Sequence, residues 1–350
     1  MTPKPKIIVD KAIPFMEGLF EPYADVVYLT SDAIVADAVR DADVLITRTR
    51  TKCDRELLEG SKVKLIASAT IGTDHIDMSW CDSAGIIVRN APGCNSGGVM
   101  EYVFCALYGI ASRKRIKLKG KTLGVVGVGN VGKKVVAMAK ALGFKVLMCD
   151  PPRAKEEDPD DFCDLKHLLA HSDIVTMHVP LDDTTRKMAD AKFFKKMKKG
   201  AIFINASRGE IVDESALIDA IPRLGPVIID TWTGEPNVNI DLMEKVDIAT
   251  PHIAGYSYQG KMNATAAVVR ATARFLKIES LYEFFPSDNS PLASAVKLHL
   301  AGLSQGEIAS VLSYNYPIFT DDFLFRLDPR GFEEYREAYS YRREIYIDYN

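Results

Sequence analysis

The chain has 350 residues, of which 47% are hydrophobic and 26% charged, the balance of an ordinary folded protein. A net charge of −3 leaves no basic footprint for nucleic acid or an anionic membrane surface. The length accommodates two or three domains, each able to bury its own core.

No apolar run approaches the roughly 18 residues that a membrane span needs. Met1-Thr-Pro-Lys-Pro-Lys runs straight into Ile7-Ile-Val, which reads as a strand with no signal peptide ahead of it. The cysteines at 53, 81, 94, 105, 149 and 163 form no C-x-x-C pair. Reduced thiols and a cytoplasmic protein are expected, with no metal site.

Strand candidates at 7–9, 26–29, 44–46, 65–67 and 86–88 alternate with helix-like segments at 15–20, 34–39, 55–58 and 78–83. Such alternation predicts a parallel sheet with helices on both faces. Asn90-Ala-Pro-Gly-Cys-Asn breaks the pattern. A long apolar helix at 99–112, carrying Val103, Phe104, Leu107 and Ile110, then reads as a packed connector.

A second alternating unit opens with Leu123-Gly-Val-Val and Gly127-Val-Gly-Asn-Val-Gly132. A lone G-x-G-x-x-G is weak. One that leaves a buried strand, opens a helix and precedes a second strand ending in an acid is a dinucleotide-binding signature. Gly127 serves the tight turn, Gly129 the approach of a pyrophosphate, and Gly132 the helix–strand contact. The helix N-terminus would hold the phosphates. Val131, Val135, Ala139 and Leu142 give that helix an apolar face. The strand at 145–149 delivers Asp150, whose carboxylate suits ribose hydroxyls and repels a 2′-phosphate. NAD is therefore expected rather than NADP, although Arg153 stands close by. His178-Val179-Pro180 ends the next strand and would line the cofactor through its backbone.

Further strands are expected at 174–177, 201–204, 227–229 and 248–249, and a helix at 260–276 that returns to the first domain. Two Rossmann-like or flavodoxin-like parallel-sheet domains around a cleft follow, an α/β architecture whose ligands lie beyond the carboxyl ends of the strands. The expected division is 1–93 with 257–280 for substrate, 94–256 for NAD, and 281–350 as a small third domain.

Three side chains after strand ends form a coherent chemical set. Arg208 follows Ile202-Phe-Ile-Asn-Ala-Ser, Glu235 lies beyond Asp230-Thr-Trp-Thr-Gly, and His252 follows Thr250-Pro251. Taking a hydride from a hydroxyl-bearing carbon needs a base for the hydroxyl proton, and histidine titrates in the working range. A carboxylate on its far nitrogen fixes the tautomer, while arginine grips a substrate carboxylate bidentately. Oxidation of a 2-hydroxy acid is the chemistry this set fits. Asp230 stands where it could accept a hydrogen bond from the nicotinamide carboxamide. The bland alternatives are a solvated arginine cap, a structural histidine and a loop-capping aspartate.

The tail, 281–350, carries eleven acidic against six basic side chains and nine Tyr or Phe between 314 and 341. That is too aromatic for a disordered arm and too short for a comfortable core, so homodimerisation is expected to complete its burial. Gly302-Leu-Ser-Gln-Gly-Glu-Ile-Ala has a faint helix-turn-helix look; Ser304 with Glu307 reads more simply as a capping box.

Taken together, Gly72-Thr-Asp-His-Ile-Asp, Asn90-Ala-Pro-Gly-Cys-Asn, Gly127 to Gly132, Asn205-Ala-Ser-Arg-Gly, Gly234-Glu-Pro and Pro251-His-Ile-Ala-Gly resemble the D-isomer-specific 2-hydroxyacid dehydrogenases over roughly residues 5–278. The resemblance implies catalytic roles for Arg208, Glu235 and His252. It implies NAD contacts at Asn130, Val131, Asp150, Val179, Ala206, Ser207, Asp230 and Gly255, beside the three glycines. Ala69-Thr-Ile-Gly-Thr-Asp-His, Cys149-Asp-Pro-Pro-Arg, Phe332-Glu-Glu-Tyr-Arg and Tyr341-Arg-Arg-Glu resemble a branch of that family with a dimerisation domain and a small phosphorylated 2-hydroxy acid as substrate. Thr49, Thr70 and Tyr256 would then contact substrate. Arg48, Arg50 and Lys52 offer a basic strand exit for the phosphate, a solvated loop being the equal alternative, and Arg342 or Arg343 of a partner subunit would add to it. A three-carbon substrate, or a non-catalytic NAD sensor on this fold, stays open.

Overall fold

Every residue of β3 (Val44–Thr47) and β4 (Leu65–Ser68) is buried, as strands covered on both faces must be. They sit in a five-stranded parallel sheet with β1 (Lys6–Asp10), β2 (Asp25–Leu29) and β5 (Ile87–Arg89), in the order β2-β1-β3-β4-β5. Alternate side chains divide between two cores. Ile7, Val9, Val44, Ile46, Leu65 and Ala67 face Val268, Val269 and Ala273 of the helix Tyr258–Leu276. Ile8, Leu45 and Ile66 face Val39, Leu57, Leu58 and Cys81 on the other side. The computed structural model describes residues 4–300 and 302–348. This first unit is Met1–Asn95 with Tyr258–Ala293.

Two segments depart from their predicted helices. Residues 15–20 form turns: Phe15 (φ 61°) and Gly18 (φ 82°) are both left-handed, which a helix cannot accommodate. Met16 and Phe20 are buried all the same, so their apolar spacing serves a packed turn. At 34–39 only a one-turn helix, Ala36–Val39, forms, after β-branched Ile34 and Val35.

The second unit is Ser96–Ser257 with Ser294–Asn350. Its parallel sheet holds β6 (Thr122–Val126), β7 (Lys145–Cys149), β8 (Ile174–Met177), β9 (Ile202–Asn205), β10 (Val227–Ile229) and β11 (Ile248–Ala249). The order is β11-β10-β9-β8-β6-β7. The chain steps from β6 outward to β7 and then back across β6 to β8. The topological switch therefore lies at the carboxyl end of β6, where doubly wound sheets hold their ligands. Leu123, Val125, Ile174 and Ile204 pack against the helix Ser96–Arg113, whose residues are mostly buried. Val175, Met177, Phe203 and Ile229 line the opposite core.

The tail does not stand as a third unit: residues 281–293 stay with the first unit, and 294–350 fold into the second. Phe325 and Phe332 are completely buried, and Phe325 packs on Trp232 with centroids 6.1 Å apart. Asp322 accepts the Ala249 N–H at 2.8 Å, tying the helix Ile318–Leu327 to the end of β11. Phe325 and Phe332 of the tail thus join the core on one face of this sheet. β12 (Val296–His299) pairs in parallel with β13 (Ile345–Asp348), and Ser304 with Glu307 forms the capping box. Among the described residues, no helix is long and apolar enough to cross a membrane.

Candidate active site

The glycine turn begins where β6 ends. Gly127 has φ 84°, and a Cβ there would stand 2.7 Å from the Val179 nitrogen and the His178 carbonyl carbon. A Cβ on Gly132 would lie 2.1 Å from the Gly127 carbonyl oxygen, so helix and turn touch without a side chain between them. Gly129 is different: nothing lies within 4 Å of its Cβ position. It precedes the helix Asn130–Ala141, whose N-terminus has no side-chain cap. Open space before uncapped N–H groups fits a pyrophosphate. Asp150 follows β7 and accepts the Val128 N–H at 2.7 Å and the Arg153 N–H at 3.1 Å, so one carboxylate fixes the glycine turn and caps the next helix. Arg153 itself pairs with Glu157 at 2.5 Å and donates to the Val128 carbonyl. His178, just past β8, lies 2.9 Å from the Thr176 hydroxyl, and burial drives its pKa down to about 3, leaving it neutral.

Three adjacent strands, β9, β10 and β11, deliver the proposed chemical set. After β9, the Asn205 side chain accepts from the Ser207 N–H (3.2 Å) and hydroxyl (2.8 Å) and donates to the Arg208 carbonyl (2.9 Å). This closes a turn through buried Ala206 and projects Arg208 from its end. After β10, Glu235 accepts the Trp232 N–H at 2.8 Å through one carboxylate oxygen. The other oxygen lies 2.7 Å from Nδ1 of His252. Burial works to raise the Glu235 pKa. The charge of His252, its hydrogen bond and the Trp232 N–H outweigh burial, and the carboxyl is held below its ordinary value. An ionised Glu235 can only accept, so Nδ1 carries the hydrogen and Nε2 is left as the proton acceptor.

His252 itself has φ 55°, a left-handed conformation that a residue with a Cβ keeps only when its surroundings impose it. Asp230 supplies part of that constraint. Its carbonyl accepts the His252 N–H at 2.7 Å. Its carboxylate takes the Thr250 hydroxyl (2.6 Å) and the N–H groups of Ile253 (2.9 Å) and Ala254 (3.0 Å). Burial pushes this carboxyl above its usual pKa, against the pull of His252 and these hydrogen bonds. Asp230, expected at the nicotinamide, is buried and also anchors the histidine loop.

Residues 109–254 match the D-isomer specific 2-hydroxyacid dehydrogenase, NAD binding domain family. Over 97% of both chains, the sequence is 44% identical to an erythronate-4-phosphate dehydrogenase of Bacteroides fragilis. It is 39% identical to one of Escherichia coli, over 97% of this chain and 92% of that protein. The chain belongs to the erythronate-4-phosphate dehydrogenase family. A 3-phosphoglycerate dehydrogenase of Entamoeba histolytica, solved with NAD+ bound, superposes with TM-score 0.66 at 29% identity, over 81% of this chain and 99% of that one. The second unit of this family member thus contains an NAD-binding domain, and the open face at Gly129 is where its own residues fit that cofactor.

The remaining predicted residues fall in both units. Thr49 is exposed just beyond β3, and Thr70 follows β4, its hydroxyl 2.7 Å from that of Ser68. Of the cations expected at a phosphate, Arg48 pairs with buried Asp10 at 2.9 Å and Lys52 with Asp54 at 2.6 Å. Gly255 and Tyr256 continue the His252 loop. The Tyr256 ring meets Tyr339 and Tyr341 edge-on at 5.8 and 6.0 Å, and the Arg336 guanidinium lies 5.7 Å from its centre. Arg342, expected to reach a partner's substrate, is 9% exposed and bonded within its own chain. Arg336 is a site neighbour that the sequence patterns do not single out, and Asn205 stands in them only as part of the Asn205-Ala-Ser-Arg-Gly motif. Among the described residues, no cluster of His, Cys, Asp and Glu could hold a metal ion.

Proposed function

We propose that the protein oxidises 4-phospho-D-erythronate at C2 to (R)-3-hydroxy-2-oxo-4-phosphooxybutanoate, an NAD-dependent step towards pyridoxal 5′-phosphate. The observation that carries this reading is the 2.7 Å contact between His252 Nδ1 and Glu235, at a strand end of an NAD-binding domain. When bound, NAD supplies the hydride acceptor. The hydroxyl proton passes to Nε2 of His252 as the C2 hydride departs, and the C2–O bond becomes a carbonyl. Glu235 stabilises the imidazolium that results, through the nitrogen it already holds. Arg208 grips the substrate carboxylate, and Thr49, Thr70 and Tyr256 are assigned as substrate contacts.

The cofactor contacts in this reading are Gly127, Gly129, Asn130, Val131, Gly132, Asp150, Val179, Ala206, Ser207, Asp230 and Gly255. The protein works in the cytoplasm as a homodimer. All six cysteines are free, which fits a reducing compartment. Phe323, Leu324 and Leu327 of the helix Ile318–Leu327 are 59%, 42% and 65% exposed, an apolar strip that a second copy would cover.

Side-by-side NADH assays with 4-phospho-D-erythronate and 3-phosphoglycerate test the assignment. A higher kcat/KM for the four-carbon acid is expected. Equal or faster turnover of 3-phosphoglycerate would place the protein with the phosphoglycerate dehydrogenases, and NADH binding without turnover of either would make it a sensor.

A further inference from the structure

The loop that carries His252 and Tyr256 is held from two sides by opposite charges. Asp230 collects its N–H groups, as described. Its carbonyl groups converge on a single guanidinium from the far end of the chain. NH1 of Arg342 donates to the carbonyls of Ile253 (3.3 Å) and Tyr256 (2.9 Å). NH2 donates to those of Ala254 (2.5 Å) and Gly98 (3.0 Å), the last at the start of the helix Ser96–Arg113. The guanidinium stacks over the Tyr316 ring at 4.0 Å, and its Nε faces the buried carboxylate of Glu101 at 3.9 Å. The backbone adds a bridge between Ser257 and Arg342, and the Ser257 hydroxyl donates to Glu344 at 2.7 Å.

This is a costly arrangement for structure alone. A buried cation must recover its lost hydration from fixed partners, and Arg342 does so chiefly from carbonyls of one short loop. A planar fork spreads five donors over three nitrogens and can span carbonyls that diverge along the loop, whereas an ammonium offers three donors from one point. The loop needs such a clamp, because His252 sits in a left-handed conformation that flanking contacts must impose. Glu235 fixes the imidazole ring, but only the backbone decides where that ring is presented.

We propose that Arg342 is a positioning residue for the reaction, setting the 252–256 loop, and with it His252 Nε2 and the Tyr256 ring, from the C-terminal segment of the same chain. The inference rests on the reading of His252 as the base. It gives the tail a share in turnover that is separate from any role in association.

Arg342→Gln and Arg342→Lys in the full-length protein test it, with exposed Arg330→Ala as a charge control and His252→Asn beside them. Turnover, substrate KM, NADH affinity by fluorescence titration and thermal unfolding are measured for each. Arg342→Gln is expected to lose at least tenfold in kcat while binding NADH within about twofold of wild type. Arg342→Lys should fall between, and Arg330→Ala should match wild type. Lysine keeps the stem and charge without the fork, so it carries the test if the glutamine variant does not fold. Wild-type turnover in Arg342→Lys, with His252→Asn inactive, would overturn the proposal. So would a fall in kcat matched by equal losses of NADH affinity and melting temperature, which marks general loosening. If His252→Asn stays active, the assignment of the base fails instead.

Discussion

Gly209 and Trp232 are packed backbone to backbone. A Cβ on Gly209 would stand 2.0 Å from the Trp232 carbonyl carbon and 2.1 Å from its oxygen. The Arg208 turn therefore rests directly on the loop whose Trp232 N–H holds Glu235. Gly209→Ala must displace that loop, and backbone cannot yield as a side-chain tip can. A stability loss of about 1–3 kcal/mol is expected from the overpacking, together with a fall in kcat. Gly129→Ala is the contrasting case. Nothing lies within 4 Å of its Cβ position, so no neighbour has to yield to a methyl group there. The added methyl occupies the approach of the pyrophosphate, and NAD affinity should drop. Chemical denaturation and NADH titration of both variants check the pair; unchanged NAD affinity in Gly129→Ala would contradict the assigned approach.

Asp150 has two structural duties beside its proposed ribose contact. Asp150→Ala loses a helix N-cap and the hold on Val128, which should cost about 1 kcal/mol. It should also narrow the preference for NAD over NADP, read as the ratio of kcat/KM values. A ratio equal to that of wild type would separate the carboxylate from cofactor choice.

Much of this was legible in the sequence because the signals were local. Strand residues buried on both faces appear as unbroken apolar runs, which is why β3, β4, β8 and β10 were predicted within a residue or so. The glycine turn and the residues after β9, β10 and β11 follow from strand ends. What stayed hidden depended on distant partners. The turns at 15–20 carry helical apolar spacing, and only the left-handed Phe15 and Gly18 decide against a helix. Arg342, expected at a partner's substrate phosphate, instead clamps carbonyls some ninety residues earlier in its own chain, a pairing that no local pattern announces. The tail read as a separate module because its aromatic residues are dense, while the core that receives them is that of another segment.

His178 offers a pH signature. Its folded pKa is pushed down to about 3 by burial, well below the value near 6.5 of an unfolded histidine. Between those limits the unfolded chain binds a proton that the folded chain refuses, so stability falls as pH drops. This one group contributes about 1 kcal/mol per pH unit over that window. Glu235, held below the ordinary carboxylate range, pulls the same way at the acid end. Denaturation midpoints of wild type and His178→Asn should converge as pH is lowered from 7 towards 4. Parallel curves would mean the ring is protonated in the folded state.

The exposed strip on the helix Ile318–Leu327 should govern association. Phe323→Glu with Leu327→Glu places charge where apolar surface now faces solvent. Sedimentation equilibrium is expected to show wild type as a dimer and the double variant as a monomer. A dimer in both would move the interface elsewhere.

The most direct test of the account is the rate of NADH formation from 4-phospho-D-erythronate by wild type and by His252→Asn, at equal NADH affinity. Loss of the base that Glu235 holds through Nδ1 should lower kcat by roughly 10²–10⁴ with cofactor binding intact. Turnover near the wild-type rate in that variant would contradict the assignment of His252 Nε2 as the proton acceptor.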